Sequence, residues 1–294
     1  MNEKEDLMKR IQYYFPKLSK GQKMIAQYIM ENYDKAAFMT AAKLGQKVGV
    51  SESTVIRFAN VLDFEGYPQM QQELQKIIRT RLTTVQRIEM TSDYSDEENI
   101  LKRVLKADID NLRVTMDDID FKVFEEAVNS IVEAEHVYII ALRSSKALAD
   151  FLAFYLNLIK GNIHVATNSI SDMFEILFRI SEKDLVIGIG FPRYSSKTLE
   201  ALDYAKSQGS KVLSITDSLL SPLASYSDYT LVARSNMESF VDSLVAPLSL
   251  LNALIIAAGM KEKDKVFSSF ESLERIWDKY QVYSYKEKDN NTRY

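Results

Sequence analysis

Two clusters of hydroxyl and cationic side chains mark where this chain could do chemistry. One is Arg143-Ser144-Ser145. The other is Phe191-Pro192-Arg193-Tyr194-Ser195-Ser196-Lys197-Thr198. Each follows a short continuous apolar run and leads into a helical pattern, so each is expected at the carboxyl end of a strand and the start of a helix. A helix start offers free backbone N–H groups and a partial positive charge. Ser and Thr hydroxyls add donors, and Arg193 adds a full charge. That combination suits a phosphate, without a metal or cofactor. The plainer alternative is that the serines only cap their helices. General acid–base chemistry would need a base and an acid at one place. His164, Asp172, Glu175 and Glu200 are candidates, but none stands in a recognisable catalytic pattern.

A second kind of chemistry is suggested by Thr40 to Leu62, TAAKLGQKVGVSESTVIRFANVL, which reads as a helix-turn-helix. Leu44, Val48, Val50, Val55 and Phe58 are the apolar positions that would lock two short helices together. Gly49 falls where the turn needs a positive φ, and Gly45 is small where the helices would cross. Ser51 can cap the second helix, with Glu52 in its first turn. Ser51, Glu52, Ser53, Ile56 and Arg57, with Thr54 in the same turn, are then the residues a recognition helix would present to the major groove. Lys43 and Lys47 lie nearby for phosphates. The alternative is a short helical hairpin with no nucleic-acid role.

The elements that must position these residues differ along the chain. Residues 1–82 read as all-helical. Ser19 and Gln22 form a capping box ahead of Met24, Ile25, Tyr28 and Ile29, and Pro68 can open a helix over 69–82. Residues 83–99 are polar and are expected to link two domains. Residues 100–132 read as two helices with Leu101, Val104, Leu105 and Phe121, Phe124, Val128 on their inner faces. Five apolar runs follow, 136–142, 162–166, 184–190, 211–216 and 228–233, most of them separated by amphipathic helices. That alternation predicts a five-stranded parallel sheet covered on both faces. Helices over 240–259 and 263–279 close this second domain, residues 100–279, and 280–294 is a polar tail.

Composition bounds the function. The 294 residues are 46% hydrophobic and include no Cys and two His, His136 and His164. That excludes a disulfide framework, a thiolate metal site and a Cys nucleophile. The start, MNEKEDLMKR, has no apolar core of a signal peptide, and the run 244–259 is short for a membrane span. A soluble cytoplasmic protein is expected, with no membrane partner. The net charge of −4 is unevenly placed: residues 1–82 hold 13 Lys and Arg against 9 Asp and Glu. A basic first part before an acidic remainder fits a DNA-reading module joined to a domain with another task.

The stretch GIGFPRYSSKTLEALDYAKSQGSKVLSITDSLLSPLASYSDYTL resembles the sugar isomerase (SIS) domain. Preceded by LSKGQKMIAQYIMENY and VSESTVIRFANVLDFEGYPQMQQEL, the chain is similar over nearly its whole length to RpiR/MurR-family bacterial transcriptional regulators. The resemblance implies a helix-turn-helix domain followed by an α/β SIS domain. It also implies control of sugar or amino-sugar metabolism genes through a phosphosugar effector. Arg193, Tyr194, Ser195 and Thr198 match the phosphate loop, and Ser145 matches the serine of the first loop. Ala141 and Arg143 stand where SIS enzymes commonly have glycines, and Ser196-Lys197 replaces the Gly-Glu of the enzyme loop. The RYS form looks like that of the regulators. The rival is a phosphosugar isomerase or lyase with a helical appendage. An operator of double-stranded DNA and a homodimer or higher homo-oligomer are expected, since one helix-turn-helix covers one half-site. Leu244 to Ala258 is a candidate interface, with burial inside the domain as its alternative.

Overall fold

The computed structural model describes residues 7–37, 39–81, 84–89, 97–166, 170–237 and 239–283. The chain divides into two compact units, Met1–Ile100 with Ser239–Val241, and Leu101–Glu238 with Asp242–Tyr294. The first is helical: α1 Leu7–Tyr14, α2 Lys20–Glu31, α3 Tyr33–Ala36, α4 Ala41–Val48, α5 Glu52–Val61, α6 Tyr67–Arg81 and α7 Thr84–Glu89. The segment 83–99, expected as a linker, thus contains α7 and the start of α8, Glu97–Asp118.

Local signals explain these helices. The Ser19 hydroxyl accepts from the Gln22 N–H while the Gln22 side chain accepts from the Ser19 N–H, a complete capping box. Ile25 and Ile29 are buried beside Leu44, Val55, Phe58, Leu62 and Met70, whereas Met24 is exposed. The buried Tyr67 hydroxyl donates to the Met39 carbonyl at 2.6 Å, and burial pushes its pKa up to about 12.

The second unit carries α9 Phe121–Glu133, β1 Val137–Ala141, α10 Lys146–Ile159, β2 Ile163–Ala166, α11 Ile170–Leu177, β3 Leu185–Ile189, α12 Ser196–Ser207, β4 Lys211–Thr216, β5 Tyr229–Val232, α13 Val245–Lys261 and α14 Lys263–Lys279. The strands form one sheet in the order β2-β1-β3-β4-β5, every pair parallel. Val137, Ile139, Leu185, Ile187, Leu213 and Ile215 share a core with α9, α10 and α13. Tyr138, Ile140, Val186 and Val212 share a second core with α11 and α12. Both faces are therefore dry, which is why the strands read as unbroken apolar runs.

Two expectations need correction. Val128 is buried and Phe124 packs against the core, but Leu101, Val104, Leu105 and Phe121 are exposed, Leu101 by 60% and Phe121 by 77%. α8 turns polar groups inward instead. The buried Asn111 donates to the Asn236 carbonyl and accepts from the Asn236 N–H, both at 3.1 Å, and the Thr115 hydroxyl accepts from the Arg234 N–H at 2.8 Å. An apolar stripe on a helix shows amphipathicity, not which side meets the protein's own core. The second correction is the start of α13 at Val245 rather than Phe240. Pro247 lacks an N–H and fits only the first turn, so a helix begun at 240 would place it in the interior. Among the described residues no single helix is long and apolar enough to cross a membrane.

The crossing of α4 and α5 depends on Gly45. A Cβ there would lie 2.8 Å from the Val50 carbonyl oxygen and 3.3 Å from the Glu52 nitrogen. Both are backbone atoms that hold the turn. Gly49 has φ of 78° and open space around a would-be Cβ, so its demand is conformational. Gly45→Ala is expected to cost about 1–3 kcal/mol by overpacking, and Gly49→Ala about 1–2 kcal/mol through the left-handed backbone alone. Urea unfolding followed by circular dichroism measures both, and an unchanged midpoint for Gly45→Ala would contradict the close approach.

Candidate functional site

The helix-turn-helix is built from α4, the turn at Gly49 and α5. Thr40 caps α4 by accepting from the Lys43 N–H at 3.2 Å, and Ser51 caps α5 by accepting from the Thr54 N–H at 3.3 Å. Val55, Phe58 and Ala59 bury one side of α5. Ser51, Glu52, Ser53, Ile56 and Arg57 are exposed on the other, with Thr54 half-buried between. The Ser51 hydroxyl also lies 2.9 Å from that of Ser53 and 2.8 Å from that of Thr54. Arg57 lies along the helix: its Nε donates to the Ser53 carbonyl at 3.1 Å and its Nη2 contacts the Ser53 hydroxyl at 3.4 Å. Lys43 and Lys47 are exposed on α4. The two helices therefore expose three cations and several hydroxyls. This is the chemistry that meets phosphates and base edges.

The second cluster lies at the carboxyl edge of the sheet. β1 and β3 are adjacent and parallel, with Ala141 opposite Ile189. The loops after them leave the sheet side by side. The first, Arg143–Ser145, is a single 3-10 turn leading into α10, and the second runs from Gly190 into α12. Arg143 and Arg193 both have left-handed backbones, with φ of 61° and 64°. Non-glycine residues adopt this conformation at a cost, and Asp63 and Gln281 share it.

The serines at helix starts fall into two groups. Ser19, Thr40, Ser51 and Asp120 each cap a helix through a side-chain hydrogen bond. Ser145 and Ser195 occupy the same position before α10 and α12, yet neither side chain caps its helix. Ser145 is buried and Thr198 is 2% exposed at these helix starts, and at α10 the 3-10 turn runs into the helix, the Lys146 N–H donating to the Arg143 carbonyl. Ser144 and Ser196 are exposed beside them.

The Tyr194 hydroxyl is engaged elsewhere: it donates to Asp217 Oδ1 at 2.7 Å. Asp217 follows β4, the next strand, and is buried with Thr216 and Ser221. The Thr216 hydroxyl lies 2.8 Å from that of Ser221 and 3.3 Å from Asp217 Oδ1. This network ties the loop after β3 to the end of β4. Asp217 was not among the expected site residues. Its signal was the Thr-Asp pair closing an apolar run next to the loop-bearing strand.

The acid–base candidates are placed differently. His164 lies near the amino end of β2, opposite Tyr138, with its Nε2 3.2 Å from Nδ1 of His136, just before β1. Because the strands are parallel, that is the far end of the sheet from the two loops. Burial, then the neighbouring His136, lowers the His164 pKa. Glu200 accepts from Lys197 at 2.6 Å, and Glu175 is exposed on α11. Asn168 and the side chain of Asp172 lie outside the described residues.

Comparison with known proteins agrees with both halves. The rpiR-family helix-turn-helix domain matches residues 5–81 and the SIS domain matches residues 130–257. An uncharacterised HTH-type transcriptional regulator of Haemophilus influenzae is 25% identical over 229 residues, 77% of this chain and 79% of its own length. The HTH-type transcriptional regulator HexR of Pseudomonas aeruginosa is 24% identical over 221 residues, 75% of this chain and 76% of its own. The sugar isomerase domain of an RpiR transcription factor from Sphaerobacter thermophilus superposes with a TM-score of 0.57 at 29% identity, covering 59% of this chain and 97% of that one. The Vibrio vulnificus NanR protein complexed with ManNAc-6P shares the fold, with a TM-score of 0.55 at 23% identity over 92% of this chain and 98% of that one. With an rpiR helix-turn-helix and a SIS domain in this order, the chain belongs to the RpiR family of transcriptional regulators.

Proposed function

We propose that this regulator binds a phosphorylated sugar at the carboxyl edge of its sheet and that the occupied site sets its affinity for an operator of sugar or amino-sugar metabolism genes. The observation that carries this reading is the pair of helix starts at which Ser145 and Ser195 do not cap. Their hydroxyls, Thr198 and Arg193 can meet the acceptor oxygens and charge of one phosphate without a metal or cofactor. Tyr194 positions the loop through Asp217. Ser144, Ser196 and Arg143 border the sugar. NanR, which shares the fold, is complexed with ManNAc-6P, a ligand of this class.

The chain acts as a regulator in the cytoplasm, not as an isomerase. The imidazole that could move a proton, His164, sits at the opposite edge of the sheet, and Glu200 is held by Lys197. A homodimer places two recognition helices on two half-sites. Most apolar residues of 244–258 are buried within their own unit, which leaves Ile256 and Met260 of α13 and the stripe Leu101, Leu105, Ile109 and Met116 of α8 for a second copy. Residues 83–99 connect the two domains, 1–82 and 100–279.

On the DNA side, Arg57→Ala is expected to cost about 1–3 kcal/mol and to relax specificity at one base pair. Lys47→Ala should weaken all sequences alike and reduce the salt slope by about one. Fluorescence anisotropy against operator and random duplexes reads both, and unchanged operator binding by Arg57→Ala would displace the recognition helix from α5. An effector acts only through differential affinity for two arrangements of the protein. Operator affinity measured across a panel of hexose, amino-hexose and pentose phosphates should shift at least about fivefold, in one direction, for the cognate sugar phosphate. No shift with any sugar phosphate that binds would remove the regulatory reading.

A further inference from the structure

We infer that α8 is the element through which an occupied effector site acts. A polar latch holds it to the chain just after β5, and hydrogen bonds link that latch to the loop after β3. This rests on the sugar-phosphate reading above and adds the mode of its regulation.

Asp108, Asn111, Thr115 and Asp118 follow one another at helical spacing, so they share one face of α8. That face meets the residues between β5 and α13. The Ser243 hydroxyl donates to Asp108 Oδ1 at 2.5 Å. Asn111 exchanges two hydrogen bonds with the Asn236 backbone, Thr115 accepts from the Arg234 N–H, and the Arg234 guanidinium pairs with Asp118. Among the described residues of α8 only Asn111 is buried, while Leu101, Leu105, Ile109 and Met116 are exposed. Hydrogen bonds, rather than apolar burial, therefore hold this helix. Water can replace each of them, so the net contribution of each is small. A helix held in this way exchanges between docked and released arrangements at little cost.

The connection to the effector site is continuous. The Tyr194 hydroxyl donates to Asp217 Oδ1 at 2.7 Å, and the Thr216 hydroxyl lies 3.3 Å from the same oxygen. Thr216 ends β4, and its carbonyl accepts from the Ala233 N–H at 2.8 Å. The next residue is Arg234, which binds α8 through both its backbone and its side chain. A sugar phosphate that moves Tyr194 thus acts on the strand ends that carry the latch. α8 continues from residues 83–99, which lead from the helix-turn-helix. Its docked and released arrangements are the two states an effector needs to bias.

Hydrogen exchange read by mass spectrometry and operator binding read by anisotropy, both on the full chain, test this. Glucose 6-phosphate, glucosamine 6-phosphate, N-acetylmannosamine 6-phosphate and ribose 5-phosphate are the probes, and calorimetry shows which of them binds. In the wild type the bound probe should change exchange of the amides of 101–118, and operator affinity, each at least about fivefold. Thr115→Val removes the acceptor of the Arg234 N–H, and Asn111→Ala removes the paired amide. Both variants should speed exchange in α8. In both, the ratio of operator affinities with and without the probe should fall toward one while the probe still binds. The inference is overturned if the bound probe leaves α8 exchange unchanged in the wild type, or if both variants respond to the probe as the wild type does. If operator affinity responds in either of those cases, the effector reading stands and only the latch falls. If no probe binds, or a bound probe leaves operator affinity unchanged, both fall together.

Discussion

The pairing of β1 with β3 is the constraint on which this domain's chemistry depends. Parallel pairing puts the carboxyl ends of both strands at one edge, and each strand feeds a helix whose first turn has N–H groups without intrahelical partners. At α2, α4, α5 and α9 such groups are met by Ser, Thr or Asp caps, whereas α3, α13 and α14 start without a side-chain cap. At α10 and α12 the cap positions hold serines that do not cap. The two helix starts and the loops bearing Arg143 and Arg193 thereby follow adjacent parallel strands, which is the basis of the proposed phosphate site. The rest of the unit secures this arrangement. The two apolar cores fix the sheet from both faces, and the Tyr194–Asp217 bond ties the second loop to the third strand of the edge.

The same group that is left open in the sheet domain is closed in the helix-turn-helix. Ser51 satisfies the first turn of α5, and Arg57 rests on Ser53 of the preceding turn. Recognition of DNA needs a rigid helix presented at a fixed angle, and the angle follows from Gly45 touching the backbone of the turn. Binding a small anion needs the opposite: donors without internal partners on a scaffold that is rigid around them. Serine thus stands at helix starts in two states, capping at α2 and α5 and not capping at α10 and α12.

Much of this was legible in the sequence because the signals are local or periodic. The five strands lie inside the five apolar runs, with β4 matching residue for residue, since burial on both faces leaves no polar alternation to confuse them. The capping box, Gly45 and Gly49 were readable for the same reason. The misreadings are of another kind. The apolar stripe of α8 was assigned to the core, yet the inward side carries Asn111 and Thr115, which bond to residues 119 and more positions away. Only the tertiary arrangement reveals such partners. Asp217 was overlooked because its link to Tyr194 spans 23 residues and crosses from one strand end to the next. The left-handed conformation of Arg143 and Arg193 leaves no trace in composition, and for Arg143 only the resemblance pointed to a glycine position.

The central claim is that hydroxyls omitted from helix capping receive a phosphate. Its most direct measurement is calorimetric titration of the protein with the sugar phosphate that shifts operator affinity most, beside the same sugar without its phosphate. The Ser195→Asp protein, which sets a carboxylate at the start of α12, is titrated in parallel. Phosphate-dependent binding, at least about tenfold tighter than the free sugar and lost in Ser195→Asp with the fold intact, is the predicted result. Equal affinity for the two sugars, or undiminished binding by the Ser195→Asp protein, would contradict it.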